Sequence, residues 1–336
     1  LWRARPVAPG LEIAMDIERM LEKCTTQQWK IDDLDWSVKP RSMNCDEEMA
    51  VVQYFKDMAG IERFAKALFE EQGKIVEHLT LKKIFATFVL DEERHAQVAE
   101  RLAQHYDVHN YKVYRASPEL ERFKPHFLDA LKYLSAEIAN AYITGGELLL
   151  DVALLRSLND YVHDEMSQRA MDLINRDESR HIAMDYYMTE FYASPEYQAF
   201  VASQPKKSLS HHAKAYASFA GVLVAAAPFF RKVFFEPMAR IDPTGRRLRE
   251  AIKRMQILGY RKNVSTRPFY RFMNSMNEVN RHPVWGRLLG PITNRITGDF
   301  PRELRQKLFS ESELAVANSM SMDQLAEDAL RAKTLN

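Results

Sequence analysis

The chain has 336 residues, 46% apolar and 28% charged, which is ample for a well-buried core and an ordinary globular composition. Lys plus Arg number 47 against 46 Asp plus Glu, a formal net charge of +1, so the molecule as a whole is not a polyanion binder. Cys24 and Cys45 are the only cysteines, which excludes a disulfide framework, a four-cysteine zinc site and a four-thiolate iron centre, and fits a reducing compartment.

Residues 1–45 read as an irregular strap with no catalytic role, in which Trp29, Trp36 and Pro40 surround the acidic turn Asp32, Asp33 and Asp35. Leu1 to Gly10 lacks the apolar segment of a signal peptide, and a cytoplasmic location is expected. Beyond the strap, glycine is scarce and apolar residues recur at spacings of three and four, which predicts an all-α protein. Four long helical stretches follow: about Asp46 to Glu71, stopped by Gly73; about Lys74 to His105; about Pro125 to Leu158; and about Asp160 to Tyr192, before Ser194-Pro195. Ser117-Pro118 reads as an N-cap followed by a first-turn proline. Short connections fold the four stretches into two antiparallel hairpins, a four-helix bundle over 46–205.

A helical C-terminal extension, 206–336, is expected to pack on this bundle. It carries an apolar helix, Ala215 to Phe235, interrupted at Pro228, and a stretch from Arg240 to Lys307 with 16 basic and 5 acidic residues. The longest apolar run, Phe219 to Phe230, falls short of the roughly 18 residues that a membrane span requires.

One internal repeat stands out. Asp91-Glu92-Glu93-Arg94-His95 and Asp177-Glu178-Ser179-Arg180-His181 share the pattern D-E-x-R-H, each in mid-helix. A bare E-x-x-H arises by chance about once in such a chain, but the full pentad has an expectation on the order of 0.004 copies. Residues three apart share a helix face, so Glu92 with His95, and Glu178 with His181, each aim a carboxylate and an imidazole at one point. A dinuclear site also needs a carboxylate from each of the other two helices. Glu62 lies 30 residues before Glu92, and Glu147 lies 31 before Glu178; Glu70, Glu71 and Glu137 are nearby alternatives. Four carboxylates and two neutral imidazoles balance two Fe(II) ions, and the oxygen and nitrogen donors suit iron or manganese. Asp91 and Asp177 are expected to hydrogen-bond the histidine of the facing helix, with Arg94 and Arg180 pairing to the aspartates. Buried structural hydrogen bonding is the competing explanation for the repeat.

These residues resemble the ferritin-like diiron-carboxylate superfamily, in its O2-activating oxygenase and oxidase branch, over about residues 46–193. The fourth-helix D-E-x-R-H is similar to the motif of acyl-carrier-protein desaturases, and the step from Glu147 to Glu178 to that of p-aminobenzoate N-oxygenases. The resemblance implies that Glu62, Glu92, His95, Glu147, Glu178 and His181 hold two iron ions and that O2 is a co-substrate. It also implies hydroxylation, desaturation or another monooxygenase-type oxidation of a small or carrier-bound organic molecule, and a homodimer. The chain departs from the family at Ile174, where N-oxygenases have a further histidine, and at Ala99, where ribonucleotide reductases carry their radical tyrosine. A third departure is at Leu150 and Asp151, where desaturases have a threonine. Asp151 is then either another carboxylate near the metals or a polar residue at the helix edge.

Phe69, Phe85 and Phe88 are expected in the substrate cavity or in plain core, and Gly145-Gly146 marks close backbone approach or a helix distortion. No nucleotide-binding glycine pattern is present, so electrons must come from a ferredoxin, a reductase or the substrate. The basic stretch 240–307 is a solvated surface or a dock for an acidic protein or anionic membrane; no nucleic-acid-binding module is recognisable. Two alternatives remain: a ferroxidase without organic substrate, and a helical metal phosphohydrolase built on His163-Asp164.

Overall fold

The computed structural model describes residues 15–296 and 300–332; the segment Leu1–Gly10 and positions 297–299 of the basic stretch lie outside them. The described residues form an all-α protein with no strand. The strap is more regular than expected: α1 (Ile17–Thr26) is capped by Asp16, whose carboxylate accepts from the amides of Glu18 and Arg19. Ile17, Met20, Leu21 and Cys24 recur at helical spacing, and this stripe packs on the later helices α3 (Leu79–Tyr106) and α7 (Glu165–Ala193).

Helix α2 (Cys45–Ile75) starts with a capping box in which Asn44 accepts from Glu47 N and Glu47 accepts from Asn44 N. It runs through Gly73 instead of stopping there; the chain leaves the helix at Val76, whose backbone turns extended. Gly73 is therefore a helical residue beside Phe85, not a left-handed cap. Helix α3 begins at Leu79, five residues beyond the expected start at Lys74.

The third expected stretch divides. Helix α4 (Pro118–Leu131) contains Pro125, and the chain breaks at Lys132 before α5 (Ala136–Glu147), which Ser135 caps. Immediately after Glu147 the rod widens into a π-helical segment, Leu148–Leu155, and continues as α6 (Arg156–Val162). A left-handed His163 ends it, and Asp164 caps α7 by accepting from Met166 N. The fourth helix thus starts at Glu165, not Asp160, because the reversal needs both residues of the His163-Asp164 pair.

Helices α2 and α3 pack along each other, α5 packs on α7, and α2–α5 and α3–α7 contacts close the ring. After α8 (Pro195–Ser203), α9 (Leu209–Phe229) runs through Pro228 into a second π-helical segment, Phe230–Phe235, and α10 (Glu236–Ile241). The wide turn absorbs the proline, so no interruption follows. As a result two continuous helical rods, Ala136–Val162 and Leu209–Ile241, are long and apolar enough to cross a membrane, contrary to the estimate from apolar runs. The first is a core helix, 78% buried over its most apolar window; the second is only 39% buried.

Helix α11 (Arg246–Tyr260) covers the first π segment, and α12 (Pro268–Arg281) leads to α13 (Trp285–Leu288) and α14 (Gly290–Ile296), which packs on α9. Helices α15 (Glu311–Ser319) and α16 (Met322–Arg331) complete the order, α16 lying against α7. One apolar core runs from Met20 to Ala332.

Asp164 ties three segments together, capping α7 while accepting from Tyr106 Oη at 2.8 Å and Arg41 N at 2.9 Å. Replacing it with Ala removes a cap and strands a phenol, so Asp164→Ala should cost about 2–3 kcal/mol of stability in urea unfolding. A loss below about 0.5 kcal/mol would show that the junction is held otherwise.

Candidate metal centre

Helices α2, α3, α5 and α7 bring six ionisable side chains to one level. Two groups form: Glu62, Glu92, His95 and Glu178, and Glu92, Glu147, Glu178 and His181. Within each, one ligand atom per residue lies within 4.8 Å of the others, and every member is buried. Glu92 and Glu178 belong to both. These are candidate metal-binding groups, and the protein holds them at the centre of its helical core.

The donor set fits a cation. No oxygen of Glu62, Glu92 or Glu178 accepts a hydrogen bond, and Nδ1 of His95 and of His181 is likewise without one. His95 Nδ1 stands 3.0 Å from Glu178 Oε1, and His181 Nδ1 3.0 Å from Glu92 Oε1, but neither approach has hydrogen-bond geometry. Leaving so many polar atoms bare in the core would cost several kcal/mol unless a positive ion sits among them.

The opposite edge of each imidazole is held. His95 Nε2 lies 3.2 Å from Asp177 Oδ2, and His181 Nε2 lies 3.4 Å from Asp91 Oδ2, each aspartate coming from the facing helix. An N–H donated there leaves the Nδ1 lone pair for a metal. The aspartates are anchored in turn: Arg94 bridges Asp91 and Asp177, and Arg180 donates to Asp177 at 2.6 Å and to Asp91 at 3.5 Å.

The strap supplies a further layer that the sequence did not disclose. Gln28 Nε2 donates to Asp91 at 3.0 Å, and Trp29 Nε1 donates to Asp177 at 2.7 Å. Arg94 donates to Gln28 and Arg180 to Gln27. Residues separated by 63 and 148 positions meet here, and no local spacing signals that. Asp185 was also missed, although it sits four residues after His181. It is fully buried, neither oxygen has a partner, and burial raises its carboxyl well above the usual range.

The other sequence candidates fall elsewhere. Glu137 pairs with Arg267 and Glu71 with Lys74, so neither competes with Glu147 or Glu62. Asp151 is fully buried, not at a helix edge. His163 and Asp164 serve the α6–α7 junction. Phe69 and Phe88 pack on the His181 ring, with centroids 5.3 and 4.1 Å away, and Phe85 stacks behind Phe69. None of the three lines the cavity.

That cavity, about 240 Å³ and largely apolar, begins at Glu147 and passes between Ile61, Phe123, Ile143 and Phe229. The π segment contributes Leu148, Leu149 and Leu150 to its wall, and a Cβ on Gly145 would stand 3.0 Å from Met255 Cε, so that glycine makes room for α11.

Without metal, burial and the charge of Glu178 push Glu62 up to about 7 and hold Glu92 and Glu147 well above the usual range. Burial pulls both imidazoles down, but their acidic neighbours prevail: Asp177 and Glu178 lift His95 to about 10, and Glu178 and Asp91 lift His181 to about 9. No protein-family model matches the sequence, and no curated protein is significantly similar to it.

The metal-free fold binds more protons than the unfolded chain between about pH 5 and 9, so its stability falls as pH rises; the histidine contribution is complete below pH 6.5 and lost through about 9 to 10. Metal must displace those protons, so Mn(II) binding should release protons and tighten from pH 6 to 8 in calorimetry. Independently, Asp91→Asn and Asp177→Asn should each weaken Mn(II) binding by about 10–100-fold, whereas unchanged affinity would make the aspartate–histidine contacts incidental to binding.

Proposed function

We propose that the chain is a ferritin-like diiron-carboxylate protein: a non-haem, O2-dependent oxidoreductase acting on an apolar organic substrate. The observation that carries this reading is the pair of overlapping buried clusters, sharing Glu92 and Glu178, with an apolar cavity starting at Glu147. The ring of α2, α3, α5 and α7 supports a four-helix bundle of that kind, each helix contributing a carboxylate and two contributing an E-x-x-H pair.

Two bound iron ions would supply electrons for reducing O2 and the oxidising power to attack an unreactive C–H or N–H bond. The chain's own residues prepare that chemistry. Glu62, His95, Glu147 and His181 each serve one cluster, while Glu92 and Glu178 serve both. Asp91 and Asp177 fix the imidazole orientation, and the two arginines offset the aspartate charge within the core. Phe69 and Phe88 keep water from the His181 side. The cavity places an apolar substrate beside Glu147 and excludes water from it.

The cavity favours an organic oxidation over a ferroxidase, which needs no such space. Electrons come from an external ferredoxin or reductase in this reading.

Anaerobic Fe(II) loading of the full chain should give two irons per chain, one for each cluster, and O2 addition should produce a transient visible band. Glu92→Ala or Glu178→Ala should remove both irons together, because each is shared, and Glu62→Ala or Glu147→Ala mainly one. Zero or one iron in the wild type, indistinguishable from Glu92→Ala, would refute the dinuclear reading.

A further inference from the structure

The outer face of the C-terminal region is unusually apolar. On α9, Leu209, Tyr216 and Val224 are 88%, 77% and 70% exposed. They fall on one stripe of the helix with exposed Ala213 and Ala220, a line of about 22 Å. Against α9 packs α14, and α13–α14 present Trp285, Leu288 and Ile292 at 52%, 63% and 61% exposure. Single exposed apolar residues are ordinary, but a row of them along one helix, with more on the elements packed beside it, marks a surface that is normally covered.

The charge along these elements is predominantly basic, although Asp129 of α4 accepts from Ser218 of α9, and Lys232 and Arg281 pair with Glu236 and Glu278 at the edges of the basic spans. No Asp or Glu occurs from Tyr197 to Phe235, a span holding Lys206, Lys207, Lys214, Arg231 and Lys232, nor from Val279 to Gly298, which holds Arg281, Arg287 and Arg295. Lys206 and Lys207 precede the exposed stripe of α9, Lys214 lies within its length, and Arg231 and Lys232 follow it. Trp285 and Arg287 are both exposed on α13, and an amphipathic ring and a cation on one short helix suit the boundary between lipid headgroups and acyl chains.

We propose that α9 together with α13–α14 is a docking surface for an anionic lipid membrane, on which the protein lies without spanning it. The same elements lead inward. Phe229, Phe230 and Phe234, at the end of α9, line the cavity that reaches Glu147; α12, packed on α13 and α14, lines its other side. The cavity grades from half-buried Phe230, Asn277 and Phe300 to fully buried Leu148 and the carboxylate. Resting on the oxidoreductase reading above, this assigns the substrate class: an apolar, membrane-borne molecule entering from the lipid side.

The test is flotation of the full chain with vesicles of phosphatidylcholine alone or with phosphatidylglycerol. Wild type should float with the anionic vesicles, less so as salt rises, and stay behind with phosphatidylcholine. Arg287→Glu should weaken binding by about fivefold or more, and the double variant Leu288→Glu/Ile292→Glu by more than about tenfold, with helicity and metal content as in wild type. Val224→Glu, on the other helix, should behave like the double variant and so guards against a local folding defect. Wild type that floats with no vesicle, or variants that float as wild type does, would overturn the proposal. So would a dimer in sedimentation velocity that these same substitutions dissociate, since the face would then be covered by a second copy. Glu92→Gln separates the two readings: it should lose metal yet still float, so failure of docking and failure of the metal site are read independently.

Discussion

Six ionisable side chains, none more than 3% exposed, sit at one level of a helical core, and their charge has to be balanced there. A carboxylate in an apolar interior costs several kcal/mol unless it is neutralised or paired, and Glu62, Glu92 and Glu178 receive no hydrogen bond from any neighbour. The metal-free protein meets the constraint with protons, raising Glu62, Glu92 and Glu147 and keeping both imidazoles charged beside an ionised Glu178. Bound cations would meet it with the donor atoms already converging. The helices, strap and aromatic packing all serve to hold this arrangement dry.

The supports around the site are nearly two-fold in character. Asp91 and Asp177 exchange histidines across the α3–α7 contact, Arg94 and Arg180 bridge both aspartates, and the side chains of Gln28 and Gln27 accept from Arg94 and Arg180 respectively. The symmetry is broken on the open side. Trp29 reaches only Asp177, while Phe69 and Phe88 close over His181. The cavity touches Glu147 and not Glu62. The two clusters therefore differ in access, with the Glu147–His181 group the one next to the apolar cavity.

That access is created by departures from regular helix. The π-helical turn after Glu147 rotates the following leucines into the cavity wall, and the second, after Phe229, carries a proline-containing helix onward without a break. Both rods thereby become long apolar helices, but their burial separates their uses. One is enclosed and holds a carboxylate of the site; the other leaves an apolar stripe uncovered among cations. The enclosed and exposed rods meet around one cavity, which links the chemistry of the site to the surface where its substrate is proposed to arrive.

The sequence by itself determined the helical class and the candidate ligands. Helical periodicity is a local property, and E-x-x-H spacing places a carboxylate and an imidazole on one face whatever surrounds the helix. Doubling of the pentad and the matching steps back to Glu62 and Glu147 made the six residues legible, together with the aspartates and arginines inside the repeat. Helix boundaries were less legible, because Gly73 and Pro228 act as breakers only where the backbone cannot continue, and packing decided that it could. What tertiary structure alone settled were contacts between distant segments: Gln28 and Trp29 on the aspartates, Asp185 bare in the core, the cavity wall, and the exposed face of α9. These depend on which side of each helix is covered, a quantity fixed by the packing of elements far apart in the chain and carried by no local pattern.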